Sequence, residues 1–261
     1  MAYDGLMVSV SGVRGRVGEA LSPEVVARFA AAFGAWSIAR AAETGGSRAI
    51  VLGRDSRVSG PLFHRVASAA LESVGADVID VGLTTTPTCQ LAVEHHHAAG
   101  GLMLSASHNP IEWNALKFIG ASGLFLEAAE GAEMRAGMER GIAYATWDRL
   151  GHSRQDPDAA RRHLDAVLAL PFLDVAGIRA RRFKVVLDCC HGAGAVILPQ
   201  LLDALGCEVT SIGMTADGRF PRAPEPIAEN LGEVEALVRE TGAAVGFVTD
   251  PDVDRLALVA D

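Results

Sequence analysis

Residues 100–120 read GGLMLSASHNPIEWNALKFIG, and the way this stretch is read decides the fold. Gly101-Leu102-Met103-Leu104 is a short apolar run with the character of a buried strand, and residues 115–119 form a second one. Between them Ser105-Ala106-Ser107-His108-Asn109-Pro110 is polar and closes on Asn-Pro. A residue before proline is pushed out of the helical region, so the segment predicts a fixed bend that presents a hydroxyl at a strand end. Such a serine can accept a phosphoryl or acyl group where a neighbour activates it. An ordinary strand-end turn would read the same way.

Outward from this stretch, strand and helix alternate. On the N-terminal side, residues 7–10 predict a short strand and Ser22-Pro23-Glu24 a capped helix start, with apolar periodicity to about residue 42. A strand over 49–53, a helix over 61–74, a strand over 77–81 and a helix over 87–95 lead back to the serine stretch. Thr84-Thr85-Thr86-Pro87-Thr88 reads as a turn in which a threonine caps the last of these helices. On the C-terminal side come a Glu-, Ala- and Met-rich helix over 127–140 and a polar connection to about residue 158. A helix to 168, a strand over 183–188, a helix to 205, a strand over 207–212, a helix over 232–241 and strands over 243–249 and 256–260 follow. The rhythm implies α/β architecture, a mixed or mostly parallel sheet covered on both faces, and a division near Leu150 into units 1–150 and 151–261.

The 261 residues, 49% of them hydrophobic, are enough for one large or two ordinary domains, each with a proper core. The net charge of −9 argues against nucleic acid as a partner, since phosphate backbones are held by clustered Lys and Arg. The start MAYDGLMVSV lacks the pattern of a signal peptide, and no apolar run approaches the length of a membrane span, so a cytoplasmic protein without membrane partners is expected. Oligomeric state cannot be read. Cys89, Cys189, Cys190 and Cys207 form no Cys-x-x-Cys pair, and reduced, buried thiols are expected. His95-His96-His97 closes a helical pattern and reads as a solvated helix end.

Three further segments carry chemistry. Ser11-Gly12-Val13-Arg14-Gly15-Arg16-Val17-Gly18 sets two arginines among glycines, a backbone able to fold around an anion while the guanidinium forks point at it. Arg54-Asp55-Ser56-Arg57 follows a strand at its carboxyl end, with Asp55 and Arg57 read as a structural ion pair. Asp250-Pro251-Asp252-Val253-Asp254-Arg255 delivers three alternate carboxylates after a strand. Carboxylates so close repel unless a cation sits among them, and Mg2+ suits such a set. An EF-hand would need glycine where Arg255 stands, and a haloacid-dehalogenase loop Thr or Val where Asp254 stands. Gly192-Ala193-Gly194 lacks the third glycine of a dinucleotide fingerprint, because Ile197 occupies that position; it reads as a tight strand-to-helix turn.

Together these motifs, in this order and across the whole chain, resemble the α-D-phosphohexomutases, which include phosphoglucomutase, phosphomannomutase and phosphoglucosamine mutase. The serine loop matches Thr/Ser-Ala/Gly-Ser-His-Asn-Pro followed by Asn-Gly-x-Lys, here Asn114-Ala115-Leu116-Lys117 with Ala115 in place of glycine. Arg14 falls in the Gly-Ile/Val-Arg-Gly signature and the acidic loop in Asp-Gly/Pro-Asp-x-Asp-Arg, while His191 stands where the family carries asparagine. The loop Pro224-Glu225-Pro226-Ile227-Ala228-Glu229-Asn230-Leu231 fits as well. The resemblance implies two consecutive three-layer αβα domains, the family's first and second, with its third and fourth absent. It implies phosphoryl transfer between the 1- and 6-positions of a hexose phosphate through phosphorylated Ser107 and a hexose 1,6-bisphosphate. Ser107, Asp250, Asp252 and Asp254 would hold Mg2+. Arg14, Arg16 and Arg255 would bind substrate, Arg14 and Lys117 would donate to the transferring group, and Lys117 or His108 would handle the hydroxyl proton. Turnover by these residues alone is doubtful on this reading, and the alternative is a two-domain module that binds metal and phosphosugar without turnover. The wording Glu112-Trp113-Asn114-Ala115-Leu116-Lys117 looks most like phosphoglucosamine mutases.

Overall fold

The computed structural model describes residues 5–9 and 12–260; Val10 and Ser11, part of the predicted first strand and of the glycine-arginine motif, lie outside the described residues. The first unit contains strands β1 (Met7–Val8), β2 (Gly12–Arg16), β3 (Ala49–Arg54), β4 (Asp77–Leu83), β5 (Gly100–Leu104), β6 (Trp113–Gly120) and β7 (Ser153–Gln155). They form one sheet in the order β1-β2-β6-β5-β3-β4-β7. β3, β4, β5 and β7 run parallel, and β1, β2 and β6 extend the sheet antiparallel.

Period-two alternation sorts the strand side chains onto two faces. Ile50, Leu52, Leu102 and Leu104 point to one face, where they meet α1 (Pro23–Glu43), α2 (Gly60–Ser73) and α4 (Ala128–Arg140) through Phe29, Phe33, Phe63, Leu71 and Met134. Val51, Met103 and Ile119 point to the other and meet Cys89 and Val93 of α3 (Thr86–His95) and Ala159 of α5 (Ala159–Leu168). Each large side chain so buried contributes about 1.5–3 kcal/mol. A Cβ on Gly101 would come within 2.5 Å of Val93, so glycine at this place in β5 is what lets α3 lie flush on the sheet.

After α6 (Val175–Arg181) the second unit forms a smaller sheet of β8 (Lys184–Asp188), β9 (Glu208–Ile212), β10 (Val245–Thr249) and β11 (Leu256–Val259) in the order β11-β10-β8-β9. β8, β9 and β10 are parallel and β11 antiparallel. α8 (Gly232–Thr241) covers one face through Val234 and Val238, and α7 (Gly194–Ala204) the other through Leu198 and Leu202. The architecture is therefore α/β, with helices on both faces of two mixed, mostly parallel sheets.

The structure departs from the sequence reading in several places. The glycine-arginine motif is a strand, β2, paired with β6; a Cβ on Gly12 would come 2.5 Å from the Leu116 carbonyl, so its glycine serves a close strand pairing and not a loop wrapped on an anion. The connection around Leu150 returns to the first sheet, where Ser153–Gln155 pairs with β4 as its outer edge. By length and composition α1 is apolar enough to cross a membrane, which corrects the expectation that no run approaches that length; its Phe29, Phe33, Ala30 and Ala31 are buried in the first core.

Candidate active site

In the parallel register Arg54 of β3 lies beside Leu104 of β5, so Asp55 and the serine loop leave the sheet side by side, with the Asp55 amide bonded to the Leu104 carbonyl at 3.0 Å. Asp55 accepts the Arg57 amide at 2.9 Å and its Nε at 3.2 Å. The rest of this fully buried guanidinium reaches across to the serine loop. Nη1 donates to the carbonyls of Pro110 at 2.7 Å and Trp113 at 2.9 Å, and Nη2 to those of Ser107 and Asn109, both at 2.7 Å. Arg57 thus ties down the bend that sequence reasoning located but could not anchor. Ser107 adopts φ +49°, a left-handed backbone that four carbonyl contacts help to sustain, and its amide donates to Ser105 Oγ at 2.9 Å. A segment of the second unit seals this knot: the Phe220 ring lies 5.0 Å from the guanidinium carbon, and Gly218, at φ +71°, sits so near the Ser56 carbonyl that a Cβ would come within 2.3 Å.

The acidic loop enters from β10. Ser107 Oγ donates to Asp250 Oδ2 at 2.6 Å and lies 3.3 Å from Asp254 Oδ1. Asp252 Oδ2 accepts Lys117 Nζ at 2.7 Å and the Thr86 hydroxyl, and Lys117 also reaches Asp254 Oδ2 at 2.6 Å. Behind the loop, Asp188 at the end of β8 accepts the Cys190 amide at 2.7 Å and Arg222 Nε at 2.6 Å, while Arg222 Nη2 donates to the Thr249 carbonyl at 3.1 Å. A Cβ on Gly192 would come 2.6 Å from Pro251, which explains glycine in the turn after β8. His191, at φ +53°, takes a left-handed conformation that histidine and asparagine both tolerate better than most residues, and its Nδ1 lies 3.3 Å from Asp217.

A cleft of about 220 Å³ opens over the serine, lined among others by Arg14, Ser107, His108, Lys117, Asp254 and Arg255. Arg14 donates to Asn109 Oδ1 at 3.3 Å, and Arg255 pairs with Glu225 at 2.8 Å. Arg16 is not among the lining side chains: it pairs with Glu19 and Glu112 and lies over the Trp113 ring. Side chains alternate along β2, so Arg14 and Arg16, two positions apart, fall on the same face, and a strand assignment in the sequence does not separate them; the ion pairs of Arg16 with Glu19 and Glu112 do. Thr86 was missed because the sequence signals a helix cap, a role taken by Thr85, whose side chain accepts the Thr88 amide. Of the thiols, Cys89, Cys189 and Cys190 are buried and Cys207 is half-buried. The histidine run ends α3, with His96 held by Asp156 at 2.7 Å.

Electrostatics divide the titratable groups. Burial pulls the Lys117 ammonium down, but Asp252 and Asp254 overcome this and hold it above its ordinary value. Burial, Arg255 and Arg14 keep His108 below its ordinary value, so at neutral pH its ring, with Nδ1 3.4 Å from Ser107 Oγ, is an uncharged proton acceptor. Asp250 is pushed up to about 8 by burial and by Asp252 and Asp254. The Asp250, Asp252 and Asp254 oxygens lie within 4.8 Å of one another, and Asp252 Oδ1 is buried without a hydrogen-bond partner. An orphaned carboxylate oxygen inside an acidic cluster fits a hard divalent cation, which takes oxygen ligands and neutralises the repulsion.

Both units resemble known proteins. Residues 6–144 match the family described as phosphoglucomutase/phosphomannomutase, alpha/beta/alpha domain I, and residues 161–261 match its alpha/beta/alpha domain II. A protein of Methanopyrus kandleri named "Probable phosphoglucosamine mutase" is 35% identical, covering 98% of this chain and 54% of its own length. A Thermococcus kodakarensis protein named "Phosphoglucomutase/phosphomannomutase" is 36% identical, covering 98% and 55%. The solved structure of a phosphoglucomutase/phosphomannomutase family protein from Burkholderia thailandensis superposes with a TM-score of 0.80 at 28% identity, covering 97% of this chain and 55% of that one. The chain spans about half the length of the curated relatives it matches.

Proposed function

The chain belongs to the phosphoglucomutase/phosphomannomutase family, and we propose that it carries the phosphoryl-transferring serine and the cation site of a phosphohexomutase acting between the 1- and 6-positions of a hexose phosphate. The observation that carries this reading is Ser107 Oγ at 2.6 Å from Asp250, which brings the hydroxyl of one unit into the acidic cluster of the other. Asp250, Asp252 and Asp254, with an oxygen on Ser107, would hold Mg2+. When bound, the ion neutralises charge on the transferring phosphoryl group.

The chain's own residues supply the rest. The phosphorus–Oγ bond of phosphorylated Ser107 breaks as a sugar hydroxyl oxygen bonds to phosphorus, and the hydroxyl proton leaves for a base. His108, uncharged and beside Oγ, suits that role better than Lys117, whose ammonium is held protonated by two carboxylates. Lys117 and Arg14 serve as donors and Arg255 as a cation at the cleft mouth. The bisphosphate formed then returns its other phosphoryl group to Ser107. The phosphoglucosamine mutase name of one relative favours an amino-sugar phosphate as substrate.

Intact mass spectrometry tests the reading. A phosphate localised to Ser107, lost on addition of a hexose monophosphate and never present in Ser107→Ala, is the expected result. Failure of the parent protein to accept a phosphoryl group from a hexose 1,6-bisphosphate overturns it.

A further inference from the structure

We propose that Thr86 is a positioning residue for the cation, holding one oxygen of Asp252 so that the other is presented to the ion. The inference rests on the reading of the three aspartates as a cation site and adds a residue outside that set. Thr86 opens α3 and is fully buried. It grips Asp252 twice: its amide donates to the Asp252 carbonyl at 2.9 Å, and its hydroxyl donates to Oδ2 at 2.5 Å. Lys117 Nζ occupies the same Oδ2 at 2.7 Å. Oδ1 on the same carboxylate is left with no hydrogen-bond partner, buried within the acidic cluster.

Division of labour among the neighbouring threonines isolates this role. Thr85 caps α3 by accepting the Thr88 amide, and Thr88 bonds to Thr85 and to His163 of α5 at 2.8 Å each. Thr86 alone of the three turns its hydroxyl on the acidic loop. A carboxylate rotates freely about its last bond unless its oxygens are made unequal. Lys117 cannot do this alone, because its ammonium is shared with Asp254 and follows either carboxylate. The Thr86 hydroxyl comes from a helix seated flush on the first sheet, so it fixes which oxygen faces the ion. Groups that orient a metal ligand in this way typically affect affinity by about 10–100-fold.

Substitution of Thr86 by Val keeps the shape and the amide contact and removes only the hydroxyl. Mn2+ binding, followed by titration calorimetry and by loss of the free-ion electron paramagnetic resonance signal, is the readout, with melting in EDTA as the structural control. Thr86→Val is expected to weaken Mn2+ by about tenfold or more, and Thr86→Ser to stay within about threefold of the parent. Thr88→Val, which loses its bonds to Thr85 and His163, is expected to lower the melting temperature in EDTA while keeping parental Mn2+ affinity. Should Thr86→Val fail to fold, Thr86→Ala takes its place. Parental affinity in Thr86→Val, or a loss in Thr86→Ser equal to that in Thr86→Val, overturns the inference and leaves the cation site standing. A parent that binds no Mn2+, or binds it equally after Asp250→Asn and Asp252→Asn, removes the cation reading and this inference with it.

Discussion

The same device closes the first and second sheets, but with different reach. In the first, Asp55 receives the amide of the residue two positions on, and the paired Arg57 hooks three carbonyls of the serine loop and that of Trp113 at the start of β6, with no part of either side chain exposed. In the second, Asp188 receives the Cys190 amide in the same way, but Arg222 reaches only the Thr249 carbonyl, one residue short of the acidic loop, and the carbonyls of Ala223 and Pro224 beside it. Its side chain is 15% exposed. The first knot holds the chemical segment itself, and the second holds only the strand that delivers it. Inside the acidic loop, moreover, Val253 sits at φ +62°, a conformation that costs a β-branched residue about 1–3 kcal/mol, and Asp250 is crowded by two carboxylates. Buried hydrogen bonds fix the serine half of the site, whereas the acidic half keeps a strained backbone and close-set carboxylates.

The largest effect that would test this contrast is at Arg57. Arg57→Ala strands a buried carboxylate and four carbonyls and should cost about 3–5 kcal/mol in urea unfolding, with little recovered by Arg57→Lys, which lacks the planar fork. A cost no greater than that at Arg222 would erase the difference. Next comes the acidic loop. Without a divalent ion, Asp250 titrates near about 8 when folded, while an unfolded aspartate titrates near about 3.9. Between those values the folded state holds a proton that the unfolded state has released, so stability falls as pH rises through this window. Melting temperatures in EDTA should therefore drop from pH 5 to pH 8, and Mg2+ should flatten the curve. Arg222→Ala should cost less than Arg57→Ala, about 1–3 kcal/mol, because it abandons fewer carbonyls and its own side chain is already 15% exposed. Phe220→Leu, which removes the ring over Arg57, should cost about 0.5–2 kcal/mol by the same unfolding measurement. The smallest effect belongs to Arg16→Ala: its ion pairs are exposed, and stability should change by no more than about 1 kcal/mol.

Local pattern made much of this legible. The apolar runs around the Asn-Pro bend, the helix starts at Ser22 and Thr85, and the alternate aspartates each announce themselves within a few residues. What local pattern does not report is which distant atoms a side chain meets. Asp55 and Arg57 read as an ion pair, and the pair is present, but the other arm of the guanidinium ends on carbonyls 50 to 56 positions later. Thr86 meets Asp252 across 166 positions, and no spacing rule connects a helix start with an acidic turn in another unit. The outer strand Ser153–Gln155 reads in sequence as connection because three exposed polar residues carry no periodicity; its place comes from backbone pairing with β4. The run from Gly12 to Arg16 suggests an anion-wrapping backbone because glycines set off two guanidinium groups, and pairing with β6 overrides that local freedom.

Phe220 belongs to one half of the molecule and finishes the desolvation of an arginine in the other. Prying the halves apart at that point would admit water to Arg57, and the carbonyls it holds would gain a competing solvent. Opening the joint and softening the backbone of Ser107 are then a single event, so this serine is at its stiffest only while the acidic loop stands opposite it.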